Sequence, residues 1–114
     1  MEEKSLLIQF MGDTPASRII DFLIENKGLD FSKTQISEGA KISRTALFAH
    51  WQTIEKFGLV KVTRTFGKTK LYTLNSESVF VQQILELELK LIDYAMTEAA
   101  KNQEQKKHAI ELFT

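Results

Sequence analysis

Residues 42–74 leave the chain little freedom. They read ISRTALFAHWQTIEKFGLVKVTRTFGKTKLYTL. Ser43 is placed to cap a helix over residues 44–57, and Gly58 is placed to end it. At 100° per residue, Leu47, Trp51, Ile54 and Gly58 fall on one side of that helix. Thr45, Ala49, Gln52 and Lys56 fall on the other, with Arg44 and Phe48 at the margin. Residues 59–66 then alternate, with Leu59, Lys61, Thr63 and Thr65 on one side and Val60, Val62, Arg64 and Phe66 on the other. Gly67-Lys68-Thr69 makes a turn, and the chain returns through Leu71, Tyr72 and Leu74. A capped helix running straight into a β-hairpin is thus expected.

The residues just before it extend the pattern. Ser32 with Gln35 three positions later is a capping-box pair, opening a short helix with Ile36 and Ala40 facing inward. Residues 39–42 form the turn to the next helix, which makes a helix-turn-helix unit. Followed by a hairpin, that unit predicts a winged helix-turn-helix. Such a fold offers one helix to the major groove of double-stranded DNA and a hairpin to the phosphates beside it. On the outer helix face Gln52 can bond adenine, Arg44 can bond guanine, and Ala49 or the Thr45 methyl can touch a thymine methyl. The same positions also read as an ordinary solvated helix face.

Net charge is zero over 114 residues, which at first argues against nucleic acid. The distribution does not. Residues 1–32 and 71–114 each carry −3, whereas residues 33–70 hold eight Lys or Arg against Glu38 and Glu55, a balance of +6. Phosphates respond to that local field and not to the sum. Arg64, Lys68 and Lys70 cluster toward the hairpin tip, suited to phosphates or a minor groove. They equally suit a charged edge strand that resists pairing with other sheets.

The flanks are helical in expectation. Leu6, Ile8 and Phe10 alternate as in a strand, but Leu6, Leu7, Phe10 and Met11 share a helical face, and a short helix is favoured. Thr14-Pro15 opens the next helix, with Ile19, Ile20, Phe22, Leu23 and Ile24 inward, Arg18, Asp21 and Glu25 outward, and Gly28 at its end. Leu29-Asp30-Phe31 is short and alternating, and can add a third strand beside the hairpin. After Ser76-Glu77-Ser78 a last helix runs to about Asn102. It has two apolar stripes: Phe80, Ile84, Leu87, Leu91 and Tyr94, and Val81, Leu85, Leu89, Ile92, Met96 and Ala99. One stripe can complete a small core. The second requires another surface, most simply the same helix of a second copy.

Other chemistries find little support. There is no cysteine, so thiolate metal sites, disulfides and cysteine nucleophiles are excluded. The histidines are His50 and His108. His50, at the edge of the core face, reads as a partly buried, hydrogen-bonded side chain rather than a metal ligand. Asp30, Glu38 and Glu55 have no motif partner and read as solvated carboxylates, so no catalytic residue, metal or cofactor is expected. No apolar run approaches the ~20 residues of a membrane span. A cytoplasmic protein with no membrane partner is the expectation.

Two segments carry a family likeness. Gly12-Asp13-Thr14-Pro15-Ala16-Ser17-Arg18-Ile19-Ile20-Asp21-Phe22-Leu23 resembles the opening helix of the arsenic-repressor-type (ArsR-like) regulators. Ile42-Ser43-Arg44-Thr45-Ala46-Leu47, with Ile54-Glu55-Lys56-Phe57-Gly58-Leu59-Val60, resembles the recognition helix and start of the wing in ArsR- and MarR-like proteins. The resemblance covers about residues 6–75 and implies a homodimeric transcription regulator with one recognition helix per subunit in successive major grooves. Trp51 stands where these families often place leucine; it reads as an enlarged core anchor, or, with Phe48 and Phe57, as the lining of a ligand cavity.

The expected architecture is mainly α with a small β-hairpin wing. Residues 1–75 form the DNA-binding domain, 76–103 the dimerisation helix and 104–114 a flexible tail. Base edges are assigned to Thr45, Ala49 and Gln52, and Phe48 and Ser43 are counted among the DNA-binding residues without a separate role. Lys33, Lys41, Arg44 and Lys56 are assigned to the phosphates along the helices, and Arg64, Lys68 and Lys70 to the wing. Phe80, Ile84, Leu87, Leu91 and Tyr94 are assigned to the dimer interface. The rival function is a winged-helix protein-interaction module that binds no DNA.

Overall fold

Four short helices, a hairpin and one long helix follow each other in a computed structural model. It describes the backbone of residues 4–113 and the side chains of residues 4–106. The elements are α1 (Leu6–Met11), α2 (Pro15–Glu25), α3 (Lys33–Ala40), α4 (Arg44–Lys56), β1 (Val60–Phe66), β2 (Thr69–Leu74) and α5 (Val79–Phe113). This is the mainly helical architecture with a two-stranded wing that the sequence predicts.

Each short helix starts where a hydroxyl meets its free N–H groups. Ser5 accepts from the Ile8 amide at 3.2 Å, Ser32 from Gln35 at 3.2 Å and Ser43 from Ala46 at 3.0 Å. Thr14 accepts from the Ser17 amide at 3.1 Å while Ser17 Oγ accepts from the Thr14 amide, and Pro15 follows at the first helical position. The ambiguous segment at the start is therefore helical. Leu7 is buried in it, but Phe10 and Met11 are exposed. Asp21, expected on the outer face of α2, is buried instead. Helix α1 crosses that face, and Ser5 Oγ donates to the Asp21 carboxylate at 2.8 Å.

The turn between α3 and α4 spans residues 41–43 rather than 39–42. Gly39 and Ala40 are still helical, and Lys41 takes the left-handed conformation at φ 58°. Gly39 is needed for contact rather than for a turn, because a Cβ there would run into the Phe22 ring. The Lys41 carbonyl accepts from Arg18 at 3.1 Å, which fastens the turn to α2.

The hairpin is antiparallel and carries a bulge. Val60 pairs with Leu74 and Val62 with Tyr72, but the register slips at Thr63, so that Arg64 pairs with Leu71 and Thr65 with Lys70. The slip moves Arg64 and Phe66 off the side that Val60 and Val62 share, where strict alternation had put them. The expected third strand shrinks to one bridge: Phe31 and Tyr72 exchange two backbone bonds of 2.8 Å. It stops there because Ser32 already caps α3.

The core lies between α2, α3, α4, the hairpin and the start of α5. Ile19, Leu23, Ile36, Leu47, Trp51, Ile54, Tyr72, Leu74 and Val81 are all buried in it. Helix α5 is 35 residues long, about 52 Å at ~1.5 Å per residue. It continues past Asn102 to Phe113, so the backbone of the expected tail is helical. The side chains from residue 107 on, including the apolar end at 109–113 and His108, lie outside the described residues, as does Thr114. Neither apolar stripe behaves as a unit. Val81 joins the core, and Ile84, Leu85, Leu87 and Leu91 pack partly against it. Phe80, Leu89, Ile92, Tyr94 and Met96 are exposed.

Candidate nucleic-acid interface

The start of α3, the outer margin of α4 and the hairpin tip enclose an open groove of about 610 Å³. Its walls include Lys33, Arg44, Phe48, Lys68, Lys70 and Tyr72, with Glu55 the one carboxylate among them. Four cations from three elements thus converge on one hollow. Lys70 gets there because it stands two residues from Tyr72, and so on the same side of β2, while the buried Tyr72 fixes that side toward α4. The Tyr72 ring meets Trp51 edge-on at 4.9 Å. Trp51 Nε1 donates to Glu55 at 2.6 Å, so Glu55 is engaged and not a free carboxylate. Burial, with Glu55 close by, pushes the Tyr72 phenol pKa up.

Lys33 sits over a small aromatic floor. Its Nζ lies 5.5 Å from the Phe48 and Trp51 centroids and 5.9 Å from that of Tyr72. Ser32 and Thr34 also line the groove, at the positive N-terminal end of α3. Sequence reasoning missed both as site residues; the capping-box pattern was the signal that placed them there. Trp51 is a core residue, as expected. Phe48 and Phe57 are about half exposed and do not close a cavity with it.

The remaining assigned residues divide clearly. Thr45, Ala49, Gln52 and Lys56 are exposed along the outer face of α4. Ser43 is exposed, with its hydroxyl committed to the helix cap. Lys41 is exposed in the turn. Arg64 stands apart: Nε and Nη2 donate to the two Asp30 carboxylate oxygens at 2.9 and 3.0 Å. Thr63 Oγ1, at the bulge, donates to the same carboxylate. Asp30 is therefore no isolated surface acid. Hydrogen bonds from Arg64 and then Thr63 lower its pKa to about 2. The Arg64 guanidinium also lies 5.5 Å from the Phe66 centroid. Of the residues assigned to a dimer, Phe80 and Tyr94 are exposed, while Ile84, Leu87 and Leu91 are half-buried against the chain's own core. Among the described residues no helix is long and apolar enough to cross a membrane.

No family model matches the sequence, and no curated protein is a significant match. Solved structures do match. Reduced HlyU from Vibrio cholerae N16961 is 27% identical, with a TM-score of 0.51, over 75% of this chain and 84% of that one. MepR, a transcription regulator of the Staphylococcus aureus multidrug efflux pump MepA, is 11% identical, with a TM-score of 0.60, over 94% and 82%. The apo form of a Lactococcus lactis ZitR mutant is 18% identical, with a TM-score of 0.61, over 93% and 82%. The last two alignments reach well into the long C-terminal helix. The chain has the winged helix-turn-helix fold of these regulators.

Proposed function

We propose that the chain is a homodimeric, sequence-specific DNA-binding transcription regulator. The observation that carries this reading is the cationic groove between the hairpin and α4, beside an outer helix face that nothing among the described residues covers. In this reading α4 lies in the major groove. Lys33, Arg44, Lys68 and Lys70 hold phosphates on one flank, with the N-terminus of α3 adding its free N–H groups. Lys56, exposed on the outer face of α4 outside the groove, and Lys41 and Ser43, exposed in the turn before α4, are further candidates for phosphate contact. Arg64 acts at one remove, holding the hairpin against the loop at Asp30. MepR, of the same fold, is a transcription regulator, which supports the assignment.

The dimer rests on α5. Phe80, Leu89, Ile92, Tyr94 and Met96 are large apolar side chains left in water by a single copy. A second α5 would cover part of this surface and complete the packing of Ile84, Leu87 and Leu91. Two recognition helices would then meet half-sites about one helical turn apart.

Selection from random duplexes followed by sequencing tests the reading. Enrichment of an inverted repeat is the expected result; no enrichment contradicts sequence-specific binding. Light scattering on the pure protein adds the second arm. A dimer is expected, and a stable monomer that binds no duplex favours the protein-interaction module.

A further inference from the structure

The outer stripe of α4 has an unusual chemistry for a surface so close to cations. Thr45, Phe48, Ala49 and Gln52 stand at i, i+3, i+4 and i+7; Thr45, Ala49 and Gln52 point away from the buried Leu47, Trp51 and Ile54, and Phe48 stands at the margin beside the groove. All four are exposed, Phe48 to 55%. Thr45, Phe48 and Ala49 each offer a methyl or aryl group, and Gln52 is the one amide. The one carboxylate beside the stripe, Glu55, next to Phe48, is engaged by Trp51 Nε1; Lys56 continues the stripe by one turn, and Lys33 and Arg44 sit at its edges.

Each base edge in the major groove asks for a particular partner. Guanine presents acceptors that suit Arg or Lys, and cytosine presents an amino group that suits a carboxylate. Adenine suits Asn or Gln. Thymine alone presents an apolar group, its C5 methyl. A stripe of two methyl-bearing side chains and an exposed ring, flanked by cations, matches the last of these on an anionic ligand. Resting on the DNA-binding reading above, we infer that this stripe reads thymine methyl groups. Phe48 is the principal specificity-determining residue, and Gln52 pairs with a neighbouring adenine. The half-site beneath α4 is accordingly rich in A·T pairs. Burying one methyl is worth ~0.8 kcal/mol, about fourfold in affinity.

The test replaces thymidine by deoxyuridine in the duplex recovered by selection. Pairing and phosphates are kept, and only the methyls are lost. The full-length protein is expected to bind the uracil duplex about fourfold more weakly for each methyl it contacts, with an unchanged salt slope. Phe48→Ala should bring the thymine-to-uracil ratio toward one. Gln52→Ala should weaken binding yet keep the ratio. Equal binding of the two duplexes by the unaltered protein, or selected half-sites made of G·C pairs, overturns methyl reading and leaves DNA binding intact. Failure to bind any duplex overturns the DNA-binding reading itself.

Discussion

The two faces of the hairpin carry similar cations to different ends. On the face turned toward α4, Lys70 lines the groove, joined by Lys68 from the turn, and neither has an ion-pair partner among the described residues. On the opposite face, Arg64 is bound through two nitrogens to Asp30. One extra residue, Thr63, separates these outcomes. Without the bulge, Arg64 would share a side with Val62 and Tyr72, near the other cations. With it, the arginine becomes a strut and the lysines stay available. A count of positive charges is thus a poor guide to a phosphate site until each charge's partner is known.

The largest expected effect comes from removing what both faces depend on. Tyr72→Ala takes a buried ring from between β2 and Trp51 and should cost about 3–5 kcal/mol in a urea melt. A loss below about 1 kcal/mol would mean that the hairpin is not held by this contact. Next is the groove's other wall. Ser32→Ala removes the cap of α3 and should cost about 1 kcal/mol, with weaker duplex binding as the helix start loosens. Unchanged stability and binding would separate α3 from the interface.

Arg64→Ala should have a smaller effect on stability than either, since the pair is exposed to solvent. It should still increase hydrogen exchange at the Phe31 and Tyr72 amides if the strut steadies that edge. The smallest effect is in acid. With a pKa of about 2, Asp30 stays charged below the ordinary aspartate value. Its pair with Arg64 is therefore fully present above about pH 4 and is lost as the pH falls toward about 2. Stability of the unaltered protein should drop more steeply across that window than stability of Arg64→Ala. Parallel curves would show that the pair is not maintained in solution.

Much of this was legible in the sequence, for local reasons. Thr14-Pro15, Ser32 with Gln35, and Ser43 act within one helical turn, so their caps can be read from spacing alone. The inward face of α4 follows from the same periodicity. The misses involve partners far apart in the chain. Asp30 and Arg64 are 34 residues apart, and nothing in an alternating run such as VKVTRTF marks which residue will bulge. Gly39 looked like a turn residue because glycine is common in turns. Its actual role, making room for Phe22, appears only once α2 and α3 are packed together. The stripes of α5 blurred for a related reason: α1 and the domain meet the helix between the two stripes, so each contributes to both the core and the exposed surface.

The most direct measurement is the salt dependence of duplex binding for Lys68→Ala/Lys70→Ala and for Arg64→Ala, each beside the unaltered protein. Each phosphate contact contributes about 0.9 to the slope of log K against log salt. The lysine pair should shallow that slope by roughly 1.8, and Arg64→Ala should leave it unchanged. A slope that ignores the lysines, or that falls when only Arg64 is removed, would contradict a phosphate-binding groove between the hairpin and α4.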